Sequence, residues 1–371
     1  MTLSIEITHR LGPARAGTIR TARGEIQTPC FMPVGTKGAV RTLSSADLED
    51  LGAQIILGNT YHLMLKPGAE RIAHLGGLHA FEDWHGHLLT DSGGYQVFSL
   101  DPGGNVRLDD EGVTFRSTYD GGTHRLTPAS AVDIQTHFGS DVQMVLDVCA
   151  PLPSPPEVLR LAVDRTAAWA ATAREAFLRQ DRPDLNQFGI VQGGTDLALR
   201  AESAERTVAI GFDGYAVGGL SVGESRDEML EVLAATVPLL PDDQPRYLMG
   251  LGDPIGMVES IALGIDLFDC VLPTRFARHG TILSTAGRYN LKRAENADDS
   301  APLDDACGCP VCARWSRAYL RHLLVVDEPT APRLITIHNV WWTLRLVEEA
   351  RAAIQAGTLD AVRSRLRAAY E

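Results

Sequence analysis

Three aspartates, a glutamine and a knot of cysteines are the side chains of this 371-residue sequence whose types and spacing suit chemistry. Asp91, Asp147, Gln192 and Asp269 each follow directly on a short apolar run. A lone Asp at such a place is commonly a helix cap; three with a Gln beside them describe a polar rim. Two carboxylates facing each other permit double displacement at an anomeric carbon. One attacks and holds the sugar covalently, and the other donates and then removes a proton. The pairs Gly93-Gly94 and Gly193-Gly194 stand at two of these run ends and Gly218-Gly219 at another, and glycine lets a flat ligand approach backbone N–H groups closely. Gln and backbone N–H suit a carbonyl oxygen, Asp suits the N–H edge of a purine, and Tyr95 with Met249 suit the two faces of a planar ring. A purine pocket is the expectation. A glycosidase acting on free sugars is the competing reading, against which the scarcity of rim aromatics counts.

Cys307, Cys309 and Cys312 form C-x-C-x2-C, with His338 further along as a fourth ligand. Three thiolates and an imidazole complete a tetrahedral Zn²⁺ shell and leave no open position, which marks a structural site, one ion per chain. Cys30, Cys149 and Cys270 sit in apolar contexts, where a buried free thiol is the default. Cys270 adjoins Asp269, and alternation along a strand points its side chain to the other face. His62, His74, His79, His85 and His87 have no clustered carboxylate to complete a catalytic metal site.

The elements that must hold these groups are legible in the same runs. Cys30–Val34, Gln54–Leu57, Leu88–Thr90, Gln143–Leu146, Phe188–Val191, Tyr215–Val217, Arg246–Met249 and Ile265–Phe268 read as eight buried strands. Between them Ser44–Leu51, Pro128–Phe138, Pro155–Leu178, Asp196–Ile210, Glu224–Val237 and Pro254–Leu263 read as helices. In the longest of these, Val158, Leu161, Ala162, Trp169, Ala173 and Phe177 are expected to pack on the sheet. Eight strands alternating with helices predict an α/β chain closed as a (β/α)8 TIM barrel, with a doubly wound open sheet as the runner-up. Period-two patterning near 99–127 predicts an inserted β-meander. The expected organisation is a barrel over 1–294, a zinc-binding subdomain over 295–345, and a C-terminal helix over 346–371 that packs on the barrel.

No apolar run reaches the roughly 18 residues that span a bilayer, and a soluble, cytoplasmic protein with no membrane partner is expected. The 44% apolar and 22% charged composition is that of a folded domain. With 34 basic against 47 acidic residues the net charge is −13, so a polyanion must be met by a local cationic patch. From Cys270 to Ala294 there is no acid, while Arg275, Arg278, Arg288, Lys292 and Arg293 supply five positive charges. The strip begins beside Asp269 and suits phosphates.

Together, Thr90-Asp-Ser-Gly-Gly-Tyr-Gln-Val-Phe98, Gly189-Ile-Val-Gln-Gly-Gly194, Ala216-Val-Gly-Gly-Leu220, Tyr247-Leu-Met-Gly250, Asp266-Leu-Phe-Asp-Cys-Val-Leu-Pro-Thr-Arg275 and the cysteine cluster resemble the bacterial queuine tRNA-ribosyltransferases, also called tRNA-guanine transglycosylases. The resemblance runs from about residue 5 to beyond residue 350. It implies a zinc-containing pentosyltransferase that exchanges the wobble guanine of tRNAs, in a U-G-U context, for 7-aminomethyl-7-deazaguanine in queuosine biosynthesis. Carried onto this chain, Asp269 matches the nucleophile and Asp91 the general acid/base. Asp91, Ser92, Gly93, Gly94, Tyr95, Asp147, Gln192, Gly219, Leu220 and Met249 match base-binding positions. Gly250, Leu251, Gly252, Asp253, Pro254, Ile255, Gly256, Thr274, Arg275, Phe276, Ala277 and Arg278 match tRNA-contacting stretches, and Cys307, Cys309, Cys312 and His338 match the zinc ligands. Glu224 matches a carboxylate that steadies a switching peptide beside Leu220, and Cys149 with Val222 match the bacterial form. The chain departs from the pattern at Val148, where Glu is commoner, and at His87, where Pro is; Val148 removes a carboxylate from near the base pocket. A homodimer with the zinc region near the contact is also implied by the resemblance. A non-catalytic paralogue would have lost Asp91 or Asp269, and this chain keeps both.

Overall fold

The computed structural model describes residues 3–100 and 106–371. Eight parallel strands, Cys30–Gly35, Ile55–Gly58, His87–Thr90, Val142–Met144, Asn186–Val191, Gly214–Val217, Arg246–Leu248 and Leu267–Cys270, are hydrogen-bonded in chain order. The eighth pairs back on the first, Leu267 with Cys30 and Cys270 with Pro33, so the sheet closes and the open-sheet alternative is excluded. The strands read as continuous apolar runs because one face fills the barrel and the other lies under helices. The eighth strand begins two residues later than its apolar run suggests, and Asp269 therefore lies within the strand rather than after it.

Local chemistry fixes the helix starts. Ser44 caps Ser45–Asp50 and Thr127 caps Pro128–Phe138, each in a capping box, and Asp196 accepts from the backbone N–H groups of Ala198 and Leu199 at the head of Leu197–Ile210. In Pro156–Arg179 the buried stripe includes Leu159, Ala162, Val163, Thr166, Ala170, Ala173 and Phe177. Val158 and Leu161 are exposed, which corrects their expected place on the packed face. Small residues dominate that stripe, so the helix can approach closely.

An N-terminal antiparallel sheet of Ser4–Leu11, Ala14–Thr21 and Gly24–Thr28 has no counterpart among the elements read from the sequence. With the preceding Leu3 it meets residues at or just before the starts of barrel strands: Leu3 N–H donates to Asn186, Gln27 N–H to Gln54, and the Arg23 guanidinium to Asp141. The fully buried Arg15 guanidinium forks onto Asp266, at 2.8 Å and 2.5 Å. This sheet thus covers the N-terminal end of the barrel and leaves the carboxyl ends of the strands open.

The inserted meander is present as Arg107–Leu108, Val113–Arg116 and Thr123–Leu126, and residues 101–105 of the expected insertion lie outside the described ones. Its Val113, Phe115 and Leu126 pack with Tyr61 and Trp169. After the eighth strand come the helix Leu272–His279, a hairpin of Thr281–Ser284 and Gly287–Asn290, the cysteine segment and the helix Arg317–Val325. The chain then runs through Thr330–Ala356, a single helix that packs on Leu272–His279 and on the first barrel strand. That helix starts well before residue 346, where the C-terminal helix was expected to begin, and it breaks from Leu359–Tyr370 at Gly357, whose φ of 71° suits glycine, so the expected single helix over 346–371 is two. No helix among the described residues is long and apolar enough to cross a membrane.

Candidate active site and metal centre

A cavity of 360 Å³ opens at the carboxyl ends of the strands, bordered by Asp91, Tyr95, Asp147, Gln192, Gly219, Leu220, Met249, Gly250 and Asp269. Residues from six barrel strands and their following loops thus meet at one cleft, with Asp91 and Asp269 both on its wall. Ser92, Gly93 and Gly94 are buried behind it. Gly93 has φ 81° and packs on the Tyr61 backbone, and the Ser92 hydroxyl accepts from Gly94 N–H at 3.3 Å.

Asp269 Oδ1 accepts from the Tyr247 hydroxyl at 2.5 Å and from Gly250 N–H at 2.7 Å. Among the described residues no hydrogen bond reaches Oδ2, so one oxygen is oriented and the other faces no protein donor. Burial raises the pKa of Asp269, against the lowering effect of those two donors. Tyr247 is held far above its ordinary pKa by burial and by the Asp269 charge, so it stays a neutral donor.

Asp91 Oδ1 accepts from Thr60 N–H at 2.8 Å and Gly93 N–H at 3.0 Å, and Oδ2 from the side-chain amides of Asn59 at 2.7 Å and Gln96 at 3.2 Å. Burial, with smaller contributions from the charges of Asp269 and Asp147, lifts its pKa to about 7. A carboxyl that is half protonated near neutrality is suited to both donating and accepting a proton.

Gln192 donates its amide to Asp147 Oδ2 at 2.6 Å, and burial raises Asp147 to about 6. Gly219 has φ 64°, and a Cβ there would fall 2.2 Å from Gln192 Oε1. Beyond Leu220 the chain turns through Ser221, φ 58°, whose N–H donates to Glu224 Oε1 while Val222 N–H donates to Oε2 at 3.1 Å. Tyr95, 51% exposed, and the half-buried Met249 border the same cavity, as do Cys149 and Val222. Val148, between the cavity-lining Asp147 and Cys149, is not itself part of the lining and packs against two apolar clusters.

Cys270 borders the cavity with Asp269, but its side chain packs on Gly252, where a Cβ would sit 2.4 Å from Cys270 Cβ. Burial and the Asp269 charge push its thiol up to about 12, so it is not a thiolate at neutral pH. Of the histidines, His62 borders the cavity and bonds the Tyr119 hydroxyl. His79, His85 and His87 are tied to Asp141, Glu49 and Thr21.

The ligand atoms of Cys307, Cys309, Cys312 and His338 lie within 4.8 Å of one another. His338 Nδ1 is 3.6, 3.5 and 3.3 Å from the three sulfurs. A tetrahedral ion with Zn–S near 2.3 Å and Zn–N near 2.1 Å separates S from N by about 3.6 Å, so the set fits such an ion. His338 Nε2 lies 2.8 Å from the Leu283 carbonyl, which fixes the proton there and leaves Nδ1 facing the sulfurs.

Of the twelve positions in the tRNA-matching stretches, Leu251, Gly252, Pro254, Ile255, Gly256, Thr274 and Ala277 are buried, Gly250 and Arg275 are exposed, and Asp253, Phe276 and Arg278 lie between. Asp253 caps the helix Pro254–Ala262 and meets Arg226 at 3.3 Å. Arg278 is held below its ordinary pKa by burial and then by the charges of Arg41 and Arg275. Arg41 therefore joins this cationic patch, and its place far upstream in sequence hid it. Asn59, Gln96 and Tyr247 were also missed. Asn59 directly follows the second strand, a position that strand-end reasoning could have found.

A family model described as queuine tRNA-ribosyltransferase matches residues 10–371. A queuine tRNA-ribosyltransferase of Solidesulfovibrio magneticus is 52% identical, over 97% of this chain and 95% of its own length. Those of Symbiobacterium thermophilum and Helicobacter pylori are 51% and 48% identical, covering 93% and 92% of this chain and 85% and 91% of their own lengths. Nearly the whole chain, cavity and cysteine cluster included, falls within these matches. The chain belongs to the queuine tRNA-ribosyltransferase family and is an enzyme of the pentosyltransferase class.

Proposed function

We propose that the protein exchanges guanine at the wobble position of tRNA, in a U-G-U context, for 7-aminomethyl-7-deazaguanine, through a covalent bond between Asp269 and ribose. The observation that carries this reading is the shared cavity of Asp269 and Asp91, the first with an oxygen that no donor among the described residues reaches and the second with a pKa near 7. Asp269 Oδ2 attacks C1′ as the C1′–N9 bond breaks, and Asp91 gives its proton to the leaving base. The incoming base then loses its N9 proton to Asp91, its nitrogen attacks C1′, and the bond to Asp269 breaks. The target nucleotide must leave its stack to enter a cleft of this kind.

Asp147, Gln192 and the backbone at Gly219 and Leu220 are assigned to the purine edge, and Tyr95 with Met249 to its faces. Cys149 and Val222 beside the cavity support the small aminomethyl base. Arg275 and Arg278, with Arg41, are assigned to phosphates, and Gly250 and the loop to Gly256 to backbone contact with the tRNA. The cysteine–histidine set is assigned to one structural Zn²⁺, on the strength of its thiol-rich donors and closed shell. The protein is taken to act in the cytoplasm as a homodimer. The barrel over 1–294, the metal unit over 295–345 and the segment 346–371 are proposed as its working divisions. Incubation with labelled guanine and an unmodified tRNA bearing U-G-U tests the reading: incorporation is expected, and no incorporation into any such tRNA contradicts it.

A further inference from the structure

Arg200 lies in the first turns of the helix Leu197–Ile210, is fully buried, and has no carboxylate partner among the described residues. Among the described residues every hydrogen bond its guanidinium makes goes to a backbone carbonyl. Nε donates to the Gly194 carbonyl at 2.8 Å, Nη1 to those of Val191 at 3.0 Å and Gly218 at 2.7 Å, and Nη2 to that of Gly219 at 3.2 Å. These carbonyls belong to the ends of two adjacent barrel strands, the ones that present Gln192 and Gly219 to the cavity. Burial depresses the Arg200 pKa only to about 10, so the group remains a cation at neutral pH.

In a trans peptide the C=O and N–H point in opposite directions. Fixing the Gly218 and Gly219 carbonyls on Arg200 therefore turns the N–H groups of Gly219 and Leu220 away from the guanidinium, and both residues border the cavity. A buried positive charge on the carbonyl side also polarises each peptide and strengthens its N–H as a donor. The fit leaves little slack: a Cβ on Gly193 would lie 2.9 Å from Arg200 N, and one on Gly219 would strike Gln192.

We infer that Arg200 is a positioning residue for base selection, holding the Gly219 and Leu220 amides as a paired donor site for the 6-oxo group of a purine without itself touching the substrate. This rests on the proposed base exchange. Wild-type incorporation of labelled guanine tests that exchange separately, and Arg200→Lys and Arg200→Met test the inference. Both variants are expected to raise KM for guanine at least about tenfold while KM for tRNA stays within about twofold. Both should also lose selectivity for guanine over 2,6-diaminopurine, whose 6-amino group meets those donors with donors. A merely structural Arg200 would lower Tm and leave KM for guanine and the selectivity at wild-type values, which would overturn the inference. If neither variant folds, hydrogen exchange on the wild type decides. Guanine should protect the Gly219 and Leu220 amides more than 2,6-diaminopurine does, and equal protection by the two bases rejects the paired donor site.

Discussion

Tyr247 and Asp269 stand on neighbouring barrel strands, border one cavity and share a 2.5 Å hydrogen bond to one carboxylate oxygen, while among the described residues no hydrogen bond reaches the other. The bond favours ionised Asp269 against the burial that raises its pKa. Tyr247→Phe removes a donor to the charged form, so the Asp269 pKa rises further and the acid limb of the pH–rate profile moves to higher pH. A fall in kcat/KM of about 10- to 100-fold near neutrality is expected. An unmoved acid limb in the variant would count against this role.

Asp91, at about 7, and Asp147, at about 6, both lie above the ordinary aspartate value. The folded chain therefore binds these protons more tightly than the unfolded chain. Their contribution to stability is full below about pH 4 and is lost as pH rises through about 6 to 7. Thermal unfolding from pH 5 to pH 8 should accordingly show Asp91→Asn gaining Tm relative to wild type. A Tm difference independent of pH would show that Asp91 is not protonated where burial predicts. In catalysis the same group gives an alkaline limb: first-step rates with tRNA should fall above about pH 7 as the donor proton is lost.

Gly219→Ala places a methyl group 2.2 Å from Gln192 Oε1 at a φ of 64°, so either Gln192 leaves Asp147 or the peptide shifts. KM for guanine should rise at least about tenfold with the zinc content unchanged. Steady-state kinetics with varied base checks this, and a wild-type KM would mean that neither group reads the base.

The eight strands, and the polar residues at or near their ends, were legible because both strand faces are buried and the apolar runs stop where the rim begins. Ser45–Asp50 and Pro128–Phe138 were legible through Ser44 and Thr127. The N-terminal sheet was not, because its first strand is largely exposed and polar, and because the partners of Arg15 and Arg23 lie more than 100 residues away. The start of Thr330–Ala356 was hidden by Pro332, which the first helical turn accommodates. Arg41 reaches the patch at Arg275 and Arg278 only through tertiary structure. The stripe on Pro156–Arg179 was misplaced because that helix buries small residues while exposing Val158 and Leu161.

Cys309 is fully buried among the apolar side chains around the metal set, including Val311, Leu320 and Ile335. Cys309→Ser should abolish stoichiometric zinc and lower Tm, since an incomplete thiolate set loses both the ion and the folding free energy it carries. Metal analysis and thermal unfolding of the purified variant check this, and one equivalent of retained zinc with unchanged Tm would contradict the assignment.

The most direct measurement is trapping the bond to ribose. Wild-type protein incubated with tRNA and then denatured should carry a protein–RNA adduct that fresh guanine discharges. Asp269→Asn should form none and lose at least about 10³-fold in guanine exchange while still binding tRNA. An adduct of wild-type yield in Asp269→Asn, or exchange at the wild-type rate, would contradict the account.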